Sequence, residues 1–370
     1  MQGQTVRWEN LVPAHIRSIQ AYIPSKPDDV LRDMFHCPSI HRLNNNENAL
    51  GPAKEAQAAI AAFDPAAAAI YPSGDAFHLR QRLAQKFGLD ADCFLVGNGA
   101  NEVIAFVINA FCQAGDNIIT ADKTFAVYEW VAEFSGYQSK QVPLCEEAFD
   151  AQSMLKAIDE RTKILFVCNP NNPTGTYWPE KKLRAFLEAV GGRQIVVLDE
   201  AYAEFVEQED FPDGMKLLHE YPNLVVFRTF SKMYGLAGLR IGYLAGSPEV
   251  VNVIRRTCVV YSVNALAQVA ALATLDNEGD HVANTRTLVR EAKAFLHSEL
   301  TALGLHHLAG EGNYMMIRLP LSDTLAYRKL MQHGFMVRTM TGFRYPNHIR
   351  LTMDKLPVME GFIKALKAIL

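Results

Sequence analysis

The run Thr229-Phe-Ser-Lys-Met-Tyr-Gly-Leu-Ala-Gly-Leu-Arg240 packs hydroxyls, one lysine, glycines and an arginine into a turn after a short apolar stretch. A lysine at the mouth of a sheet can be desolvated, which lowers its pKa and makes the amine nucleophilic toward a carbonyl. Lys232 fits that role. Thr229, Ser231 and Arg240 can hold a dianionic phosphate through hydroxyls and a planar guanidinium fork. The competing explanation is a flexible surface loop with a snorkelling lysine.

Further segments occupy similar positions. In Leu198-Asp-Glu-Ala-Tyr202 an apolar run ends directly in a carboxylate. Ligands of open α/β sheets bind outside the carboxyl ends of strands, so Asp199 is set to face a site, where it can pair with a protonated ring nitrogen. Asp199 is equally a common N-cap residue, and Tyr202 is equally a core aromatic. Gly97-Asn-Gly-Ala-Asn-Glu102 reads as a strand-to-helix turn whose free amides suit a phosphate, although a plain turn explains it without other phosphate ligands. Asn169-Pro-Asn-Asn-Pro-Thr-Gly175 is turn chemistry by composition, yet it too follows a buried strand, and Asn172 can donate to a phenolate oxygen. Near the C-terminus Arg338 and Arg350 lie in strand-like segments. Each calls for a partner, either a structural carboxylate or the carboxylate or phosphate of a substrate.

The elements that must position these groups alternate. Short apolar runs at 94–96, 117–120, 163–167, 194–198, 224–228 and 240–244 are bounded by turn residues, as fully buried strands are. Between them 77–87, 102–111, 125–134 and 179–190 carry apolar residues at helical spacing, with Pro179 suited to a first turn. This alternation predicts an α/β fold with a mostly parallel sheet covered by helices. From residue 248 the pattern predicts one long helical stretch to 303, then strands at 314–319, 335–338 and 348–352 and a closing helix at 356–370. The Ala-rich stretch 53–69 reads as helix broken at Pro65. The expected division is a large domain over 51–247 and a smaller α+β domain formed by 1–50 with 248–370.

The chain has 370 residues, 49% hydrophobic and 21% charged, which is globular composition with room for a large core. A formal net charge of -4 without a long basic run excludes an electrostatic footprint for nucleic acid. The six cysteines form no C-x-x-C pair and read as reduced, buried thiols; no metal site is expected. No apolar run spans a bilayer and the N-terminus is polar, so no membrane partner and a cytosolic location are expected.

Beyond these motifs stand Asn46-Glu-Asn-Ala-Leu-Gly-Pro52, Tyr71-Pro72, Ser231-Lys232, Ala237-Gly-Leu-Arg240 and Ile349-Arg350. In order and spacing the whole set resembles the fold type I pyridoxal-phosphate enzymes and, more narrowly, the histidinol-phosphate aminotransferases, over nearly the full chain. The resemblance implies a homodimer with shared active sites, Lys232 as the covalent anchor of pyridoxal 5'-phosphate and as proton shuttle, and Asp199 as partner of the pyridine nitrogen. It implies Asn172 and Tyr202 at the ring oxygen, with Tyr202 among the catalytic residues, and Phe125 stacked on the ring. The phosphate would meet Ala100, Asn101, Thr229, Ser231 and Arg240, with Tyr71 reaching it from a second subunit. On the substrate side it implies Arg350 for the α-carboxylate, Tyr22 and Arg338 for a distal phosphate, and Asn46 among the contacts. Tyr261-Ser262, Thr339 and Arg344 depart from the subgroup's pattern and leave room for a changed substrate pocket.

The activity so implied is ping-pong transamination between histidinol phosphate and 2-oxoglutarate. Alternatives on the same scaffold are an aminotransferase for aromatic or other amino acids, or a decarboxylase or oxidase. A non-catalytic binding module is the alternative of another class, and the unbroken lysine, aspartate and arginine set speaks against it.

Overall fold

The computed structural model describes residues 8–21 and 24–370. Strand β1 (His41–Leu43) leads into a sheet formed by β2 (Phe94–Gly97), β3 (Asn117–Ala121), β4 (Gln138–Val142), β5 (Thr162–Cys168), β6 (Ile195–Asp199), β7 (Leu224–Thr229) and β8 (Gly242–Gly246). The sheet order is β2-β8-β7-β6-β5-β3-β4. Strands β3 to β7 are parallel, and β8 runs antiparallel to both β7 and β2. The central strands are buried on both faces: Ile164, Leu165, Phe166, Val196, Val197 and Leu198 are wholly inaccessible. Each such side chain contributes roughly 1.5–3 kcal/mol of burial, and the helices that cover it are held to the sheet by that burial.

Those helices start and stop where their local chemistry dictates. Phe77–Phe87 ends at Gly88, whose φ of 65° is left-handed, and Glu180–Val190 ends the same way at Gly191. Pro179 is the residue before that second helix, one position earlier than expected. The Ala-rich stretch divides as expected, into Lys54–Ala61 and a short 3-10 turn, Pro65–Ala69.

The second sheet joins β1 to β9 (His307–Leu308), β10 (Tyr314–Arg318), β11 (Phe335–Thr339) and β12 (His348–Thr352), in the order β1-β11-β12-β10-β9. Only the β1–β11 pairing is parallel. Helix Leu356–Ile369 packs with Gly279–Ala302 beside this sheet. The architecture is α/β, a large mostly parallel sheet plus a smaller mixed one.

Three expectations are corrected. The stretch expected as one helix from 248 to 303 is three helices, Pro248–Arg255, Ala265–Thr274 and Gly279–Ala302. The second begins where the Asn264 side chain caps the Ala267 N–H, and it packs back on Lys54–Ala61 and Phe77–Phe87. The strand expected to begin at Arg240 begins at Gly242, because Arg240 takes a left-handed turn at φ 57°. Not every cysteine is buried: Cys145 is exposed and Cys258 half-buried.

Candidate active site

The carboxyl ends of β5, β6 and β7 and the start of β8 lie side by side, because β8 reverses direction. Thr229 closes β7, and its Oγ1 accepts the Ser231 N–H at 3.0 Å, which turns the chain out of the sheet. Lys232 follows, half-buried, with Nζ donating to the Asn45 carbonyl at 2.7 Å. Burial pulls its amine down to about 8; Arg350 and Arg240 push the same way and Glu47 opposes them. The Arg240 guanidinium reaches Ser231 Oγ at 3.5 Å and the Ala237 carbonyl at 3.0 Å, and it lies over Gly99. Gly99 has φ 82°, and a Cβ there would overlap that guanidinium. Helix Ala100–Phe111 starts at the next residue, so Ala100 and Asn101 present their free amides beside Arg240, Ser231 and Thr229. A Cβ on Gly242 would stand 3.4 Å from the Ala100 nitrogen, which shows how closely this helix start meets β8. Together these groups gather amides, hydroxyls and a guanidinium into a candidate anion cradle.

One strand over, Asp199 ends β6 and is 2% exposed. Its Oδ2 accepts the Tyr128 hydroxyl at 2.5 Å, and its Oδ1 accepts the Ala201 N–H at 3.1 Å. Burial pushes its carboxyl upward, and those two donors pull it back. The capping alternative therefore accounts for one oxygen only. Tyr202 is buried, and burial raises its phenol to about 12, opposed by Arg350 and by the Asn46 amide. Asn46 Nδ2 donates to Tyr202 Oη at 2.8 Å, while the Asn46 backbone N–H is held by Thr352 Oγ1 at 2.9 Å. Asn46, itself left-handed at φ 58°, thereby ties β12 to Tyr202. Asn172, in the loop after β5, accepts from Arg350 Nη1 at 2.5 Å. Phe125 is half-buried and meets the edge of Tyr128 at 5.6 Å.

The two arginines of the small sheet lie directly opposite each other, Arg338 on β11 and Arg350 on β12. Neither is paired with a carboxylate among the described residues, so the structural ion pair that sequence left open is not what holds them. Arg350 is 5% exposed, spends Nη2 on the Asn44 carbonyl at 2.9 Å, and keeps a buried Nε without a partner. The Phe343 ring is near both guanidinium groups, 5.8 Å from Arg338 and 5.9 Å from Arg350. Arg344 is explained by a different contact: it reaches the Asp122 carbonyl and, at 3.0 Å, Glu129, so the loop after β11 clasps the large-sheet layer. Tyr71 is not joined to these groups on the single chain; it is 81% exposed and stacks on Tyr261 at 4.9 Å. Ser262 donates to Glu102 at 2.8 Å, and Glu102 also accepts the Asn98 N–H, fixing the 97–102 turn. Tyr22 lies outside the described residues.

Several residues here were not singled out by sequence. Tyr128, Thr352, Phe343 and the pair Arg228–Glu200 all hold site residues in place. Arg228 bonds Glu200 at 2.8 and 2.9 Å, one residue before Thr229 and one after Asp199, so a single buried pair pins both strand ends. Tyr128 stands three residues after Phe125, just inside helix Val127–Phe134, a spacing that by itself does not point to Asp199.

A weakly basic amine, a buried acid, an anion cradle and two uncompensated guanidinium groups can bind an anionic aromatic ring, hold a positive charge on it, and move protons beside it.

The chain belongs to the aminotransferase class I and II family, whose model matches residues 38–366. Within it, the chain is 41% identical to the histidinol-phosphate aminotransferase of Symbiobacterium thermophilum, over 96% of this chain and 97% of that one. It is 38% identical to that of Moorella thermoacetica, over 96% and 92%. In fold it is similar to the histidinol-phosphate aminotransferase of Sinorhizobium meliloti in complex with pyridoxal-5'-phosphate, with a TM-score of 0.86 at 23% identity over 97% of both chains. It is also similar to Thermus thermophilus aspartate aminotransferase with maleate, with a TM-score of 0.82 at 22% identity, over 97% and 99%.

Proposed function

We propose that this aminotransferase exchanges the amino group of histidinol phosphate with 2-oxoglutarate, in a ping-pong cycle through Lys232 on pyridoxal 5'-phosphate. The name of the relatives at 41% and 38% identity supports the substrate. The observation that supports the reading is Lys232 itself, a half-buried amine lowered to about 8 in the turn after β7, the strand beside the one that ends in Asp199.

The residues fit the cofactor. Ala100, Asn101, Thr229, Ser231 and Arg240 would hold its phosphate, Asp199 its ring nitrogen, Asn172 and Tyr202 its ring oxygen, and Phe125 one face. When bound, the cofactor supplies an electron-poor ring that takes up the charge left as a carbon–hydrogen bond beside the amino nitrogen breaks. Lys232 Nζ takes that proton and returns it one carbon further on. Its lowered basicity leaves enough free amine near neutral pH for the first transfer and enough acid for the second. Asp199 keeps positive charge on the ring nitrogen. Arg350 receives the carboxylate of the 2-oxo acid and Arg338 the phosphate of the donor, each with a guanidinium that has no carboxylate partner to displace among the described residues.

The assembly proposed is a homodimer in which Tyr71 enters the partner's cradle. The exposed group Ile70, Tyr71, Val259, Val260 and Tyr261 supports it, since such apolar patches mark association surfaces. We place the enzyme in the cytosol; no described helix is long and apolar enough to cross a membrane.

Half-reaction spectra test the reading. Histidinol phosphate should convert the bound cofactor to its amino form far faster than histidinol, glutamate should do so in the reverse half-cycle, and aromatic amino acids should be slow. Equal rates with histidinol and its phosphate would sink the substrate assignment.

A further inference from the structure

Asp199 is a buried acid with an unusual set of neighbours. The titratable groups that face it are Tyr128 from helix Val127–Phe134, Cys168 from β5, Tyr202 from the turn after β6 and Tyr314 from β10. Burial raises all four, so none carries charge near neutral pH. No cation pairs with Asp199 among the described residues. Its two oxygens are held by two donors alone among the described residues, the Ala201 N–H on one and the Tyr128 hydroxyl on the other.

Tyr128 is built for that contact. It is wholly inaccessible, stacked on Phe166 at 4.6 Å with the rings 18° apart, and set edge-on to Phe125 at 5.6 Å. A phenol so buried has no water to turn to, and its hydroxyl points at the carboxylate.

We propose that Tyr128 is a positioning residue that acts through Asp199: its hydroxyl bond keeps the carboxylate ionised and oriented, so that a ring nitrogen placed against it retains its proton. This rests on the reading that Asp199 faces the ring nitrogen of pyridoxal phosphate. The proton balance is simple. One proton is shared between the carboxylate oxygen and the ring nitrogen, and a donor on the far oxygen makes the carboxylate less basic, leaving the proton on nitrogen. Without that donor the proton moves toward oxygen and the ring loses positive charge. A hydrogen bond to a charged group corresponds to about one to two pK units in the acid's proton affinity. The ring of Tyr128 has a second task that a phenylalanine would preserve, namely buttressing Phe125.

The test uses the holoenzyme of Tyr128→Phe loaded with pyridoxal phosphate carrying 15N at the ring position. Between pH 6 and 9 the 15N resonance of the unmodified enzyme should stay at its protonated value. That of Y128F should move toward the unprotonated value, with kcat down about ten-fold and KM within about two-fold. A 15N shift in Y128F identical to that of the unmodified enzyme overturns the proposal, even if kcat falls, because packing alone would then explain the loss. If Y128F does not fold, 4-aminophenylalanine at position 128, a weaker donor of similar shape, should shift the resonance the same way by less, and no shift there overturns the proposal. Borohydride trapping separates the two levels. A pyridoxyl adduct on Lys232 with an unmoved resonance overturns the role of Tyr128 alone, whereas no adduct in the unmodified enzyme overturns the cofactor reading and the proposal with it.

Discussion

The two sides of the site are built differently. On the large-sheet side nearly every polar group already has a protein partner: Asp199 has Tyr128 and Ala201, Tyr202 has Asn46, Thr229 has the Ser231 amide, and Glu102 has Asn98 and Ser262. On the small-sheet side Arg338 and Arg350 both approach the Phe343 ring, neither is paired with a carboxylate among the described residues, and Arg350 keeps a buried Nε unbonded. A satisfied network is preorganised for a resident group, whereas a buried and a half-buried cation without counter-ions among the described residues are held ready for anions that come and go. Substitutions on the first side should therefore cost turnover, and on the second side saturation.

The largest effect belongs to Lys232. Lys232→Ala should lower turnover by at least about 10⁴-fold, because it removes both the covalent anchor and the proton carrier. Near-normal turnover in that variant would undo the assignment. The same lysine sets a pH dependence. Its amine is lowered to about 8, and only the neutral form attacks a carbonyl, so capture of pyridoxal phosphate by cofactor-free enzyme should rise through pH 8 and level off above it. A rise centred near the ordinary lysine value would mean that Nζ is solvated rather than desolvated.

Asp199→Ala comes next. The anion cradle is untouched, so the cofactor should still bind, while kcat falls on the order of 10³-fold as the charge facing the ring nitrogen is lost. Loss of cofactor binding with little change in residual rate would place Asp199 in the architecture and not in the chemistry.

How much of this contrast was legible in the sequence depends on the kind of signal. The large-sheet side was nearly all visible, because buried parallel strands are short apolar runs, Asp199 and Thr229 stand at the ends of two of them, and Asn172 lies in the loop after a third. Strand β4 was not, since Gln138-Ser-Lys-Gln-Val142 is polar and lies at the sheet edge, bonded on one side only. The break near 256–264 was hidden because Cys258-Val-Val-Tyr261 continues an apolar texture while Tyr261 turns left-handed at φ 63°. Arg240 was read into a strand for the same reason, although its own backbone turn is what aims it at Gly99. Tyr128, Thr352 and Phe343 carried no polar motif of their own. Their roles come from what tertiary packing sets beside them, which spacing along one chain does not encode.

On the small-sheet side Arg350→Ala should raise KM for the 2-oxo acid about 30-fold or more, the lower end of what truncating a buried charge contact costs. It also removes the partner of Asn172, so some loss of kcat should accompany it. Arg338→Ala should act on the phosphate-bearing donor and leave the 2-oxo acid nearly unaffected. Identical profiles for the two variants would erase the division of labour between the guanidinium groups.

The smallest effect is expected at Arg344, although its contacts look strong on paper. The side chain bonds the Asp122 carbonyl and both oxygens of Glu129, joining the loop after β11 to the helix that carries Tyr128. Its guanidinium is 44% exposed, however, and ion pairs in that setting contribute only about 0.2–1 kcal/mol. Arg344→Ala should therefore change kcat/KM by less than about five-fold, and the change should shrink further in high salt, which screens such pairs. A loss of a hundred-fold or more, insensitive to salt, would mean that the clasp governs the chemistry, and the small-sheet side would then have to be regarded as preorganised like its counterpart.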